Sequence, residues 1–149
     1  MSCPFYLEED NMKLNRIHHV AIIASNYESS KDFYVNILGL EIVRENYRKE
    51  RDSYKLDLKI GDSEIELFSF PDPPKRPTTP EARGLRHVCF FVDDIHHVVN
   101  ELNLKGIETE AIREDEFTGG LYTFFQDPDG LPIELYMNKN NGEVEREVF

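Results

Sequence analysis

An α+β fold made of two tandem βαβββ modules is what the sequence predicts, and two observations predict it. Two short strings occur twice at one separation: His19-Val20 returns as His87-Val88, and Ile65-Glu66-Leu67 as Ile133-Glu134-Leu135, each 68 residues on (19 to 87, 65 to 133). A shared offset for unrelated strings marks a duplicated unit. In addition, strand-like and helix-like patterns follow one another in the same order on both sides of a proline-rich segment.

Residues 17–24 are apolar and β-branched and read as a strand. Asn26, Ser29 and Ser30 supply capping chemistry for a helix in which Phe33, Tyr34, Ile37 and Leu38 recur at helical spacing and Gly39 is the stop. Residues 40–44, 53–60 and 63–70 are three further strands. In the second half, residues 86–92 form the opening strand. Asp93 or Asp94 caps a helix with Ile95, Val98, Val99 and Leu102 on its apolar face, and Gly106 ends it. Residues 107–112, 121–126 and 131–137 complete the set, with 113–116 as an acidic loop. The modules are residues 14–70 and 85–138 of one domain, 14–138. Residues 71–84 hold five of the eight prolines and form the linker, because proline has no backbone donor for a sheet ladder. Residues 1–13 and 139–149 are tails.

Composition excludes several classes. Seventeen Lys and Arg against 29 Asp and Glu give a net charge of −12, the wrong sign for nucleic acid, whose phosphates need clustered bases. No apolar run approaches the roughly 20 residues of a membrane helix. The acidic N-terminal residues Glu8, Glu9 and Asp10 have the wrong polarity for a signal peptide, so a cytoplasmic protein is expected. Cys3 in the tail and Cys89 in an apolar run do not suggest a disulfide.

The chemistry follows from strand parity. Alternate side chains share a face, so His19, Ala21 and Ile23 point one way while His18, Val20 and Ile22 point the other. A lone strand histidine is most simply a hydrogen-bonded core residue. A glutamate between Ile and Leu is harder to explain, since a buried carboxylate needs a cation or strong donors. Two imidazoles and two carboxylates contributed symmetrically by a duplicated unit have the composition of a first shell for one divalent metal ion. By contrast, His18 and Arg86 are read as pointing away from their neighbours His19 and His87. His96 and His97 are placed on a solvated helix face, and Phe117-Thr118-Gly119-Gly120 is either a lid or a hairpin turn.

The strings Ile17-His18-His19-Val20-Ala21-Ile22-Ile23, Phe33-Tyr34-Val35-Asn36-Ile37-Leu38-Gly39-Leu40 and Asp127-Pro128-Asp129-Gly130-Leu131-Pro132-Ile133-Glu134-Leu135 resemble the vicinal oxygen chelate superfamily, the glyoxalase/bleomycin-resistance/dioxygenase group. Arg51-Asp52-Ser53, Glu66-Leu67-Phe68-Ser69-Phe70-Pro71 and Gly84-Leu85-Arg86-His87 are similar to its small single-domain YaeR-type members, described as lactoylglutathione-lyase-like. The resemblance implies a curved mixed-sheet cup with helices outside. It implies metal ligands His19, Glu66, His87 and Glu134, one Ni, Co, Zn or Mn ion per site, and a homodimer whose sites form within one chain or across two. It further implies a glyoxalase I-like lyase or isomerase that moves a proton through a metal-bound enediolate of a small α-oxo or hemithioacetal substrate. Glu134 or Glu66 is the base, with Glu134 preferred. The alternatives are an epimerase or thiol transferase on the same shell, or a non-catalytic antibiotic-binding module with Tyr34, Tyr54, Phe68, Phe91, Tyr122 and Tyr136 lining its cleft. Four oxygen and nitrogen donors argue against an extradiol dioxygenase, which uses three. Ile23 and Phe70 stand where the family's glutathione-binding enzymes carry polar handles, so weak turnover of the methylglyoxal–glutathione adduct is expected.

Overall fold

The computed structural model describes residues 12–139 and has two four-stranded mixed sheets with a helix for each. Cys3 and most of both tails lie outside the described residues. The first module runs β1 (His19–Ala24), α1 (Tyr27–Asp32), β2 (Glu41–Arg48), β3 (Ser53–Ile60) and β4 (Ser63–Ser69). The second runs β5 (Val88–Phe91), α2 (Ile95–Leu104), β6 (Arg113–Glu114), β7 (Leu121–Gln126) and β8 (Pro132–Met137). Strand order is β1-β4-β3-β2 in one sheet and β5-β8-β7-β6 in the other, with only the β1/β4 and β5/β8 pairs parallel. The duplication extends to register. Val20 faces Ile65 and Ala21 faces Glu66, while Val88 faces Ile133 and Cys89 faces Glu134.

Local chemistry accounts for most boundaries. Asn26 accepts from the Ser29 amide and Asp94 from the His97 amide, so both helices begin on a side-chain cap. The first helix widens into a π-helical turn, Phe33–Ile37, before Gly39 ends it at φ +77°. β2 runs to Arg48, beyond the expected residue 44, because β3 offers an antiparallel partner as far as the Arg48/Ser53 pair. The strand expected over 107–112 is absent. There the Thr123 hydroxyl donates to the Glu110 carbonyl at 2.7 Å, and the short strand forms instead at Arg113–Glu114, within the segment read as a loop. The Phe117 segment is a turn: the Asp115 carboxylate accepts from the Phe117 amide at 2.8 Å, and a Cβ on Gly120 would meet the Tyr136 hydroxyl. No helix among the described residues is long and apolar enough to cross a membrane.

Parity sorts each sheet into two faces. Ile22, Ala24, Leu56, Leu58, Ile65 and Leu67 are buried on the core side of the first sheet, as are Ile133 and Leu135 in the second. The modules meet through the first helix and the β7–β8 turn rather than through their ligand-bearing faces. Tyr34, fully buried, donates to Asp127 Oδ2 at 2.8 Å; Ser25 hydrogen-bonds Asp129; and Phe33 packs near Phe125. Burial, then the Asp127 charge, pushes the Tyr34 phenol far above its usual range, so it is always the donor. The Asp127 carboxylate also caps the turn by accepting from the Asp129 and Leu131 amides at 2.8 and 2.9 Å. Tyr34→Phe should therefore cost about 1.5–3 kcal/mol, the worth of a hydrogen bond to a charged group. Thermal unfolding should show this as a fall of roughly 4–10 °C, and an unchanged midpoint would mean that the contact does not hold the modules together.

Candidate metal centre

The register places one imidazole beside one carboxylate in each module. His19 opens β1 and its Nδ1 lies 3.2 Å from Glu66 Oε2; His87 immediately precedes β5 and its Nε2 lies 3.7 Å from Glu134 Oε2. Metal–ligand bonds of about 2.1 Å put neighbouring ligands at right angles roughly 3 Å apart, so each pair has the spacing of adjacent ligands on one ion. The glutamates are the more buried members, at 11% and 17% side-chain exposure, while the histidines are at 42% and 24%. Ligands reachable from the open face on a carboxylate floor fit a small hard or borderline cation.

The four residues do not converge in one chain. Among the described residues, no group of three or more potential ligands gathers around one point. The reason is the sheet topology: each pair sits on its own sheet, and the modules are joined on the side away from these faces. The single chain thus carries two separate His–Glu pairs, one on each sheet. β1 and β5, which bear or adjoin the histidines, are edge strands. Ile23 and Phe91, 68 residues apart and both on the ligand face, remain 53% and 76% exposed.

Around Glu66 the structure shows a charge network that strand parity did not foretell. Lys55 Nζ lies 3.5 Å from Glu66 Oε1 and donates to Asp57 Oδ1 at 2.8 Å. Arg44 donates to Asp57 Oδ2 at 2.5 Å and lies 3.5 Å from Glu64. Burial pushes the Asp57 carboxyl upward, but the hydrogen bonds from Lys55 and Arg44 outweigh it and hold the group below its usual range. The hydrogen bond to Asp57 in turn raises Lys55, which stays a cation. These side chains share one face because Arg44 pairs Asp57 and Asp57 pairs Glu66 across adjacent strands. The sequence signal was available in the alternation of Lys55, Asp57 and Lys59, but its partner strand was not.

On the second sheet, Cys89 takes the place corresponding to Ala21, beside Glu134. Desolvation against the sheet, then its hydrogen bond to Glu134, pushes the thiol up to about 12. Two parity readings need correction. His18 Nδ1 lies 2.9 Å from His19 Nδ1, and Arg86 Nη1 lies 3.5 Å from His87 Nδ1. His18 and Arg86 both precede the first residue of their strands, so strict alternation does not govern them. His96 and His97 are exposed on α2. Of the proposed cleft aromatics, Tyr34 is in the core and Tyr54 stacks on Tyr27, 4.4 Å between centroids.

Comparison with known proteins agrees with this architecture. The chain is 60% identical over 126 residues to the uncharacterized protein YwkD of Bacillus subtilis, covering 84% of this chain and 98% of that one. It is 54% identical over 124 residues to the uncharacterized protein YaeR of Escherichia coli, with 83% and 96% covered. The crystal structure of a glyoxalase family protein from Enterococcus faecalis is similar with a TM-score of 0.79 at 55% identity, covering 84% of this chain and 99% of that one. Residues 16–135 match the family model, and the chain belongs to the Glyoxalase/Bleomycin resistance protein/Dioxygenase superfamily.

Proposed function

We propose that the protein is a divalent-metal-dependent lyase or isomerase of the glyoxalase I type, acting on a small α-oxo or α-hydroxycarbonyl compound. The observation that carries this reading is the pair of half-shells, His19 with Glu66 and His87 with Glu134, at corresponding register and ligand spacing. Neither half holds an ion tightly alone, so a complete His2Glu2 site takes His19 and Glu66 from one chain and His87 and Glu134 from a second copy. The exposed Ile23 and Phe91 on the same faces support a homodimer, since apolar surface beside such a cleft gains by being covered. A bound divalent ion would supply Lewis-acid polarisation of substrate oxygens and stabilise charge developing on them.

The remaining chemistry belongs to the side chains. Glu66 is tethered by the Lys55 ammonium. Among the described residues no lysine or arginine lies within ion-pair distance of Glu134, so its carboxylate is the one free to take a proton from one substrate carbon and return it to the next. Ile23 and the half-buried Phe68 and Phe70 would keep that step from bulk water once the second copy covers them. The test is proton exchange in D2O with Ni-, Co-, Zn- or Mn-loaded protein, followed by NMR on a panel of α-hydroxyketones and thiol hemithioacetals. Metal-dependent deuterium incorporation beside the carbonyl is expected. Full metal occupancy with no exchange on any member would overturn the reading.

A further inference from the structure

We propose that Arg48 is a carboxylate-binding residue that selects singly charged, elongated substrates. The proposal rests on the reaction site described above and names the class of molecule that site takes. Arg48 ends β2 opposite Ser53, and its Nη2 donates to Ser53 Oγ at 2.8 Å. Its guanidinium lies 5.0 Å from the centre of the Phe68 ring and 5.6 Å from that of Phe70; the two rings are parallel, 5.9 Å apart. Stacking and the Ser53 hydrogen bond fix the plane of the cation.

Arg48 differs from Arg44 and Lys55 in its lack of an anion. Arg44 and Lys55 are both paired, with Asp57, Glu64 and Glu66 between them. Among the described residues Arg48 has no carboxylate within ion-pair distance, and its Nε is buried without a hydrogen-bond partner. What sets Arg48 apart on this face is therefore its half-buried position between two aromatic rings with donors left over, not the mere absence of an ion pair. A half-buried guanidinium that still has unused donors is matched best by a carboxylate from outside.

Position gives the rest of the ligand. Arg44, paired with Asp57 and through it with Glu66, is four residues before Arg48 on β2, so the two sites are on the order of 10 Å apart along the sheet. Phe68 lies between them along β4, with Phe70 beside it and Ile23 paired to it from β1 on the far side, and these make an apolar strip; Lys55, which pairs Phe68 from β3, is already held by Asp57 and Glu66. A fitting substrate has an α-oxo head at Glu66, an apolar middle and one terminal carboxylate at Arg48. A second carboxylate along the strip would find Ile23 or Phe70 and lose hydration without compensation, which disfavours the glutathione adduct with its several charges.

The test compares binding of two probes by calorimetry: an α-hydroxyketone with a terminal carboxylate on an alkyl tether of matching length, and the same molecule as its primary amide. Wild-type protein should bind the carboxylate about tenfold or more tighter than the amide. Arg48→Met should abolish that preference by weakening the carboxylate probe far more than the amide, and Arg48→Lys should restore part of it with wild-type thermal stability. A carboxylate preference that survives in Arg48→Met, or equal weakening of both probes, would overturn the proposal. Proton exchange is read separately: its absence alongside an intact Arg48-dependent preference sinks the proton-transfer reading and leaves the carboxylate site standing.

Discussion

Proteins carrying His19→Ala or His87→Ala, each without tight metal binding when pure, should regain about a quarter of the wild-type sites after the two are unfolded, mixed and refolded together. The arithmetic follows from two-fold symmetry. If each site takes its first half from one chain and its second from the other, a mixed dimer has one site with both substitutions and one with neither. Random pairing makes half of the dimers mixed, so roughly one site in four is intact. The physical basis is that the two His–Glu pairs lie on separate sheets joined through Tyr34 and Asp127 on the opposite side, with no cluster of three candidate ligands among the described residues. Metal titration before and after mixing decides it. A mixture that stays at zero, although chain exchange is complete, would place all four ligands in one chain and require the modules to close on each other.

Replacing Glu134 by Gln should lower kcat by about 10²–10⁴-fold at saturating metal, the usual contribution of a general base. Glutamine keeps the volume and an oxygen donor but cannot hold the proton. Glu66→Gln should act differently. That carboxylate is paired with Lys55 at 3.5 Å and His19 at 3.2 Å, so its loss should weaken metal affinity and leave much of kcat once metal is saturating. Steady-state kinetics across a metal titration separates the two effects. The opposite pattern, with kcat lost in Glu66→Gln and kept in Glu134→Gln, would exchange their roles.

The residues that escaped the sequence reading share one trait. Lys55, Arg44 and Arg48 are ordinary surface charges in a linear string, and only the β2–β3–β4 register shows that they stand in rows beside Glu66, Phe68 and Phe70. His18 and Arg86 were misplaced for a related reason, because alternation holds only inside a strand and both lie just outside one. The 107–112 segment has strand composition and meets β7 at one point, where the Glu110 amide donates to the Phe124 carbonyl at 2.9 Å, but the Glu110 carbonyl accepts from the Thr123 hydroxyl and the two-residue strand forms at Arg113–Glu114.

The sequence by itself determined the two-module fold, because a 68-residue repeat and the 2.0 and 3.6 residue periods are local and survive in one dimension. It also determined the face on which His19, Glu66 and Glu134 lie, since parity within a strand and the shared 68-residue offset need no tertiary information. Only the tertiary structure decided how the halves meet. The buried Tyr34–Asp127 hydrogen bond and the Ser25–Asp129 contact join residues about a hundred positions apart, and they turn the modules so that the His19–Glu66 and His87–Glu134 pairs stand apart. Such long-range contacts depend on which surfaces bury the most apolar area together, and no period in the chain encodes that.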